Sequence, residues 1–494
     1  MEWARAQRVS RWRFLTAVSA VQLAFLLYHL GSQSLWLDEV TSFDVARGSW
    51  GGMVAFFRSL PEQHPFYYLL LRAWLVSFGT SDAALRLLSV LPAVAGVWAL
   101  FFLVERLRDR QTAAVAAVLM AFAPYWLYYG QEGRMYALLG FLTVFNAYWF
   151  LVFLDEGSRG ARTTYVISAM CGVYTHLLFW FALFAQLVFV ALRDWPRRGA
   201  LLRVAKVQAL VALAYLPWAA LLVTRRPEAQ SWKGAAHVLF GLPYTLLRFS
   251  LGYSEVLANA GWKATVPQLL AGNAALLAIA LPCFGALAVV GGWQLWRARP
   301  QGWFVWCGLA VPMAAALLAS PVVILVGERY LMVSFPFYVT LLAAGFMGMF
   351  RAGRRGRAAG AVVAALYVLV ISRALADYYF NPAFGKEQWR EVAQFVHAHE
   401  ERTDVIVVHA GFVLSAFARY YGTGDHPRVR PSTDVDLATL RDADRVWLVL
   451  AHTEPDDIYG SLLVGSHQIV IDRLFPHESG IRVLCLERRK HLSA

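Results

Sequence analysis

The sequence predicts a polytopic α-helical membrane protein of about 11 transmembrane helices that ends in a small α/β domain. Three observations lead there. Of 494 residues, 59% are hydrophobic and only 16% charged, with a mean hydropathy of +0.49, whereas a soluble chain runs at roughly 45–50% apolar and about 25% charged. Apolar stretches near the ~20 residues a bilayer demands recur as far as residue 376. Beyond that point the apolar runs become short and alternate with polar segments. Disorder, collagen-like repeats and a disulfide scaffold are all excluded by these proportions.

The net charge of +13 would suggest nucleic acid in a soluble protein. Here the basic residues gather in short loops between apolar stretches, where they orient spans across a bilayer, so no nucleic-acid partner is expected. The four cysteines, Cys171, Cys283, Cys307 and Cys485, are scattered and form no paired metal or redox motif.

The first apolar run, Phe14 to Leu30, follows Arg5, Arg8, Arg11 and Arg13. No small-residue cleavage site follows it, which predicts an uncleaved helix with its N-terminus in the cytoplasm. Ten further spans are expected at about 83–105, 111–128, 134–154, 163–176, 177–192, 204–223, 267–295, 302–319, 330–350 and 358–376. Residues 65–79 are apolar too, but about 15 residues at ~1.5 Å each fall short of a ~30 Å core. Arg72 in their middle adds a cost of ~2.5–3.5 kcal/mol at mid-bilayer. An interfacial helix is expected there, with Arg72 snorkelling. Charge supports the count: the cytoplasmic pieces then hold about 20 Lys/Arg in about 55 residues, against about 11 in about 118 on the other side.

The expected domains are residues 1–376, with a first outer loop over 31–82, and residues 377–494. In the second, 386–402 reads as an amphipathic helix, and 404–409, 445–451, 467–474 and 481–487 as strands. An odd span count places this domain outside the cytoplasm.

That topology exposes several polar groups on one side. Asp38 and Glu39 open a short helix just past the first span. Either Asp38 is its N-cap, with Glu39 favouring the helix dipole, or one of the two carboxylates is a general base near a low-dielectric boundary. His64 precedes a Pro-initiated helix and is either a surface residue or a group that orients a hydroxyl. Arg86 begins a span from the outer side, and either snorkels or holds a phosphate. Glu132, Arg134 and Tyr136 lie in a short loop. The charged two form a local ion pair or handle an acceptor and an anionic donor. His176 ends a helix pair and is a structural residue or a contact to sugar. Glu328, Arg329 and Tyr330 stand at the mouth of another span, and the Arg329 guanidinium suits phosphate oxygens. The loop 224–266, with Arg225, Arg226, Lys233, Arg248 and Lys263, is a basic lid or an ordinary solvated loop. No P-loop, dinucleotide fingerprint or outer acidic pair for a metal-bound diphosphate is present; Asp434 with Asp436 reads as a turn and Asp456–Asp457 as a helix start. No cofactor or metal site is expected.

The run Ser34-Leu-Trp-Leu-Asp38-Glu39, then His64-Pro65-Phe-Tyr-Tyr-Leu-Leu-Leu-Arg72, then Gly79-Thr-Ser-Asp-Ala-Ala-Leu-Arg86, resembles the N-terminal region of type-C (GT-C) membrane glycosyltransferases. Within them the family 39-like group, which includes protein O-mannosyltransferases and lipid A aminoarabinose transferases, is the most similar. The likeness continues through Gln131-Glu132-Gly-Arg134-Met-Tyr136, Tyr174-Thr-His176 and Glu328-Arg329-Tyr330, over about residues 10–350. The family often has a second proline where this chain has Phe66. The resemblance implies a polyprenyl-phosphate-sugar donor, an acceptor glycan, lipid or protein outside the membrane, and Asp38 as the essential carboxylate with Glu39 beside it. Arg329, Arg86, Arg134 and Tyr330 are expected at the donor phosphate, and His64, Glu132, Tyr136, His176 and Glu328 at the acceptor or sugar. The expected location is the inner membrane of a bacterium. A lipid-linked saccharide flippase, or a non-catalytic assembly subunit, is the competing expectation; a flippase would place ionisable groups inside the spans rather than at their ends.

Overall fold

The structure is a computed structural model describing residues 2–224, 235–252, 274–320, 325–381, 385–409, 411–422, 429–431, 437–451, 465–476 and 480–489. It divides into two compact units, one of residues 1–30 and 45–377, the other of residues 31–44 and 378–494. Sequence reasoning placed 31–44 with the membrane module. They pack instead with the tail, for reasons given below.

The first unit is helical. In chain order it contains α1 (Glu2–Leu27), the end of α2 (Leu37–Arg47), α3 (Trp50–Ser59), α4 (Pro65–Phe78), α5 (Asp82–Leu107), α6 (Arg110–Ala121), α7 (Pro124–Gly130), α8 (Tyr136–Glu156), α9 (Arg159–Val173), α10 (Phe179–Asp194) and α11 (Gly199–Val223). There follow α12 (Ala235–Leu251), α13 (Ala274–Arg297), α14 (Gln301–Ala319), a 3-10 turn (Tyr330–Ser334), α15 (Phe335–Arg351) and α16 (Gly353–Phe380). Each of the eleven expected spans carries a helix. Among the described residues seven helices are long and apolar enough to cross a membrane, or eight if α6 and α7, bent by 60°, form one broken span. α1, α9 and α10 account for the other three expectations. α9 and α10 have only 15 and 16 residues.

Two ends of this unit can be told apart by their contacts. At one end Arg106 meets Asp155 at 2.9 Å, Arg193 meets Asp155 at 3.7 Å, Arg351 meets Asp109 at 2.9 Å and Arg11 meets Glu105 at 2.9 Å. These are the charged segments assigned to one face of the bilayer, and they do gather together. Small residues let the helices approach closely. A Cβ on Gly291 would lie 2.0 Å from the Leu341 carbonyl, and one on Gly345 would lie 2.2 Å from the Leu287 carbonyl, so α13 and α15 touch backbone to backbone. The Trp126 ring of α7 fits a slot between Gly96 of α5 and Gly140 of α8, and its indole N–H donates to the Ala93 carbonyl at 3.0 Å. That anchor fixes α7, and with it the loop that carries Glu132 and Arg134.

α4 starts at Pro65 and spans 14 residues, as its length and Pro-first sequence predict. Arg72 does not snorkel. It donates to the carbonyls of Ala46 and Gly48 and lies over the Trp50 ring, 4.2 Å from its centroid. The expected outer loop 224–266 contains α12, a helix whose apolar residues escaped notice among scattered charges. The lid residues Arg225, Arg226, Lys233 and Lys263 lie outside the described residues, as do Asp434, Asp436, Asp456 and Asp457.

The second unit is an α/β domain with a five-stranded sheet of order β2-β1-β3-β5-β4, formed by β1 (Val405–His409), β2 (Val429–Pro431), β3 (Arg445–Ala451), β4 (His467–Phe475) and β5 (Ile481–Arg488). β2, β1 and β3 run parallel, and β5 and β4 continue antiparallel. The helices are α17 (Trp389–His399), α18 (Leu414–Tyr421) and α19 (Leu437–Asp442). Its core includes Val407, Leu440, Val446, Leu448, Leu484 and Leu486. The four expected strands and the helix are found within a few residues. Strand β2 was missed because it is three residues long.

Candidate functional site

In the second unit, α2 begins at Leu37, so Trp36 occupies its N-cap position and Asp38 its second helical residue. Asp38 therefore does not cap the helix. Glu39, at the third position, does that work: its Oε2 lies 3.4 Å from the Trp36 backbone N–H, the reciprocal half of a capping box. Its Oε1 lies 3.1 Å from Lys386 Nζ, and both side chains are buried. Glu39, expected as a second catalytic carboxylate, is thus engaged in holding structure. Asp38 is half-buried, and its carboxylate is the more accessible of the two.

The segment before α2 explains why 31–44 belong with the tail. Arg390 donates to the carbonyls of Ser32 and Gly31, and the Arg390 backbone N–H donates to Ser34 Oγ at 3.0 Å. Ser34 in turn donates to Glu391 at 3.1 Å, and the Leu35 N–H donates to the Tyr420 hydroxyl at 2.7 Å. Arg419 lies over the Phe43 ring, 3.9 Å from its centroid.

In the first unit, the expected residues near the starts of α4, α8 and the 3-10 turn, and at the α9–α10 turn, converge at the end away from the surface ion pairs. His64 is 1% exposed. Its Nδ1 donates to the Glu62 carbonyl at 2.8 Å. A carbonyl can only accept, so Nδ1 carries the proton and Nε2 accepts the Tyr215 hydroxyl at 2.7 Å. Burial pushes the His64 pKa down to about 4, against the pull of the Glu62 carbonyl, so the ring is neutral at pH 7. With both nitrogens engaged, His64 serves to fix the α4 entrance.

His176 is also neutral. Its pKa falls to about 3, through burial first and then through neighbouring groups that include the cations Arg134 and Arg329. Its Nδ1 accepts the Leu178 backbone N–H at 3.1 Å, which leaves Nε2 as the protonated nitrogen. The His176 ring lies 6.3 Å from that of Tyr136 and 5.9 Å from that of Tyr330. Arg329 lies over Tyr330, 5.3 Å from the ring centroid. Arg134 is buried and donates to the Tyr68 hydroxyl and to Gln63 Oε1, both at 3.3 Å. So Arg134, Tyr136, His176, Arg329 and Tyr330 form one cluster, lined by aromatic rings, with two permanent positive charges.

The remaining expected residues are built in around it. Glu132 is buried, and its carbonyl accepts the Arg134 N–H at 2.8 Å. Arg86 is buried and donates to the Leu30 carbonyl at 3.0 Å, so it serves the chain after α1 rather than standing open to a phosphate. Glu328 is buried and faces Arg248 at 3.9 Å, and its carbonyl accepts the Tyr125 hydroxyl at 2.7 Å. The lid expectation fails for Arg248, which is 2% exposed. Sequence reasoning missed Gln63, Tyr68, Tyr215 and Lys386. Gln63 adjoins the quoted His64 motif and Tyr68 stands inside it, so both were within reach. Tyr215 sits in an apolar run and Lys386 among ordinary polar residues, and neither has a local pattern. Among the described residues no group of three His, Cys, Asp or Glu side chains is placed to ligate a metal ion.

No family model matches the sequence and no curated protein does. Solved structures do match. ArnT from Cupriavidus metallidurans in the apo state superposes with a TM-score of 0.56 at 14% identity, covering 96% of this chain and 98% of that one. The same protein bound to undecaprenyl phosphate gives 0.52 at 14% identity, covering 95% and 97%. The archaeal oligosaccharyltransferase AglB from Archaeoglobus fulgidus, in complex with an inhibitory peptide and a dolichol-phosphate, gives 0.54 at 12% identity, covering 90% and 70%. These are GT-C type membrane glycosyltransferases, and the chain shares their fold.

Proposed function

We propose that this chain is an integral-membrane glycosyltransferase that moves a sugar from a polyprenyl-phosphate-sugar donor to an acceptor hydroxyl outside the cytoplasm, inverting the anomeric carbon. One observation carries the reading. Arg329 lies over the Tyr330 ring, which neighbours that of the buried His176, and the buried Arg134 donates to the Tyr68 hydroxyl, so two permanent cations gather among tyrosine rings at one end of an apolar bundle. An anion on an apolar tail matches that chemistry, and a lipid phosphate is such an anion. Two of the similar structures hold polyprenyl phosphates, which supports the same class of donor.

In the proposed reaction Asp38 takes the proton of the acceptor hydroxyl. The oxygen attacks the anomeric carbon from the face opposite the phosphate. The sugar–phosphate C–O bond breaks, and its electron pair leaves on the lipid phosphate. Arg329 and Arg134 stabilise the charge that grows there. Tyr330, Tyr136 and His176 Nε2–H line the sugar side, and Glu39 and His64 hold the elements that carry the site.

The test is transfer from labelled polyprenyl-phosphate hexose by the purified protein in detergent, with mass analysis of the product. Asp38→Asn keeps the skeleton and loses the base, and transfer falls about 10²–10⁴-fold. Transfer within a few-fold of the parent removes Asp38 from the mechanism. Arg329→Lys keeps the charge and loses the planar fork, and donor use weakens. A flippase gives no product in detergent, which lacks two compartments.

A further inference from the structure

The tail domain has no role in the reaction as written above, yet the segment bearing Asp38 is built into it. Residues 31–35 are held almost one by one by backbone and side-chain bonds from Lys386, Arg390, Glu391 and Tyr420. The bonds made by Arg390, Glu391 and Tyr420 already dock that strand of chain. The Lys386–Glu39 pair is different. Both side chains are buried, at 6% and 0% exposure, and meet at 3.1 Å. Removing two charges from water is expensive, and an apolar pair of similar volume generally gives equal or better stability. Stability alone does not account for the pair.

Its position does. Glu39 follows Asp38 directly, in the first turn of α2, and its second oxygen faces the Trp36 N–H. Lys386 therefore fixes both the turn that carries Asp38 and the direction in which that turn presents its side chains. A buried charge pair also gives one geometry where an apolar contact would tolerate several. We propose that Lys386 is a positioning residue for Asp38, acting through Glu39. This rests on the transferase reading for its consequence but not for its contact.

The experiment uses the full-length purified protein and two readouts. The first is carbodiimide modification of Asp38 at pH 6, followed by peptide mass spectrometry, with the exposed Asp472 as internal reference. In Lys386→Met the rate at Asp38 changes severalfold relative to Asp472, and in Lys386→Arg it returns to that of the parent. The second is steady-state transfer from labelled polyprenyl-phosphate hexose. Lys386→Met lowers kcat about tenfold or more while the donor KM stays within about twofold. Should Lys386→Met fail to fold, Lys386→Gln, which keeps a polar head and loses the charge, is measured in its place, and it shifts Asp38 labelling in the same way. Unchanged Asp38 labelling in the variant measured, or no return to the parent rate in Lys386→Arg, overturns the inference whatever the transfer assay gives. Shifted labelling beside a parent protein that forms no transfer product upholds the positioning and sinks the transferase reading instead.

Discussion

Tyr215, on α11, donates its hydroxyl hydrogen to His64 Nε2 at 2.7 Å, in the tautomer that the Glu62 carbonyl sets at Nδ1. The Glu62 carbonyl takes the proton on the other nitrogen. Tyr215→Phe removes the hydrogen that Nε2 accepts and leaves a buried acceptor unsatisfied. The ring stays, with its contacts to Tyr174 and Trp180. A loss of about 1–3 kcal/mol is expected, read as a lower unfolding temperature in detergent. An unfolding temperature equal to the parent's would show that water replaces the hydroxyl.

Neutral, buried histidines make a pH prediction with a definite sign. His64 has a folded pKa of about 4 and an unfolded value near 6.5. Between those values the unfolded chain binds the proton and the folded one does not, so stability rises with pH. It is fully present above about pH 6.5 and is lost as pH falls toward 4, by up to about 3 kcal/mol for this one residue. His176 acts in the same direction. Thermal unfolding from pH 7.5 to 4.5 should show a steep acid decline in the parent and a shallower one in His64→Gln. Parallel curves would exclude His64 as a source of the decline.

How much of this was legible in the sequence follows from the range of each signal. Apolar runs and Pro-first helices are local, so the helical class, α4 and the tail strands could be read directly. The arginine-rich loops that meet at one end were readable because charge near spans is a bulk property. Pair chemistry is not local. Glu39 looks like a partner of Asp38 because the two are adjacent, yet its partner, Lys386, lies far along the chain. Arg86 and Arg248 look like surface cations at span ends, but a carbonyl and a carboxylate in the fold engage them. Residue type named the chemistry available at these positions, and only the packing showed where it was used.

Trp126 ties the bundle to the cluster, and Gly140 gives it room. A Cβ at position 140 would come within 2.5 Å of the Trp126 ring. Gly140→Ala overpacks the slot, and a destabilisation of about 1–3 kcal/mol is expected. Because α7 leads into the Arg134 loop, transfer should fall with it, by more than the loss of folded protein explains. Gly285→Ala, where an added Cβ meets nothing within 4 Å, is the control and should behave as the parent in both assays.

The last prediction concerns polar side chains among the helices α8 to α11. Gln186 accepts the Tyr165 hydroxyl at 2.7 Å and donates to Asn146 at 2.8 Å. Asn146 donates to the Tyr165 carbonyl and to Ser168, and Gln208 donates to the Tyr165 hydroxyl and the Leu183 carbonyl. A hydropathy argument would make Gln186→Leu stabilising, since leucine suits an apolar bundle. The network argues the opposite. The substitution strips the acceptor from Tyr165 and the donor from Asn146, and both are buried where no lipid or solvent replaces them. A loss of about 1–2 kcal/mol is expected, and Asn146→Leu combined with Gln186→Leu should cost less than the two single changes added together, because each removes the other's orphan. Thermal unfolding of the four proteins closes the cycle. Strict additivity would mean that these side chains do not act as one unit, and a more stable Gln186→Leu would mean that apolar fill outweighs the bonds at this position.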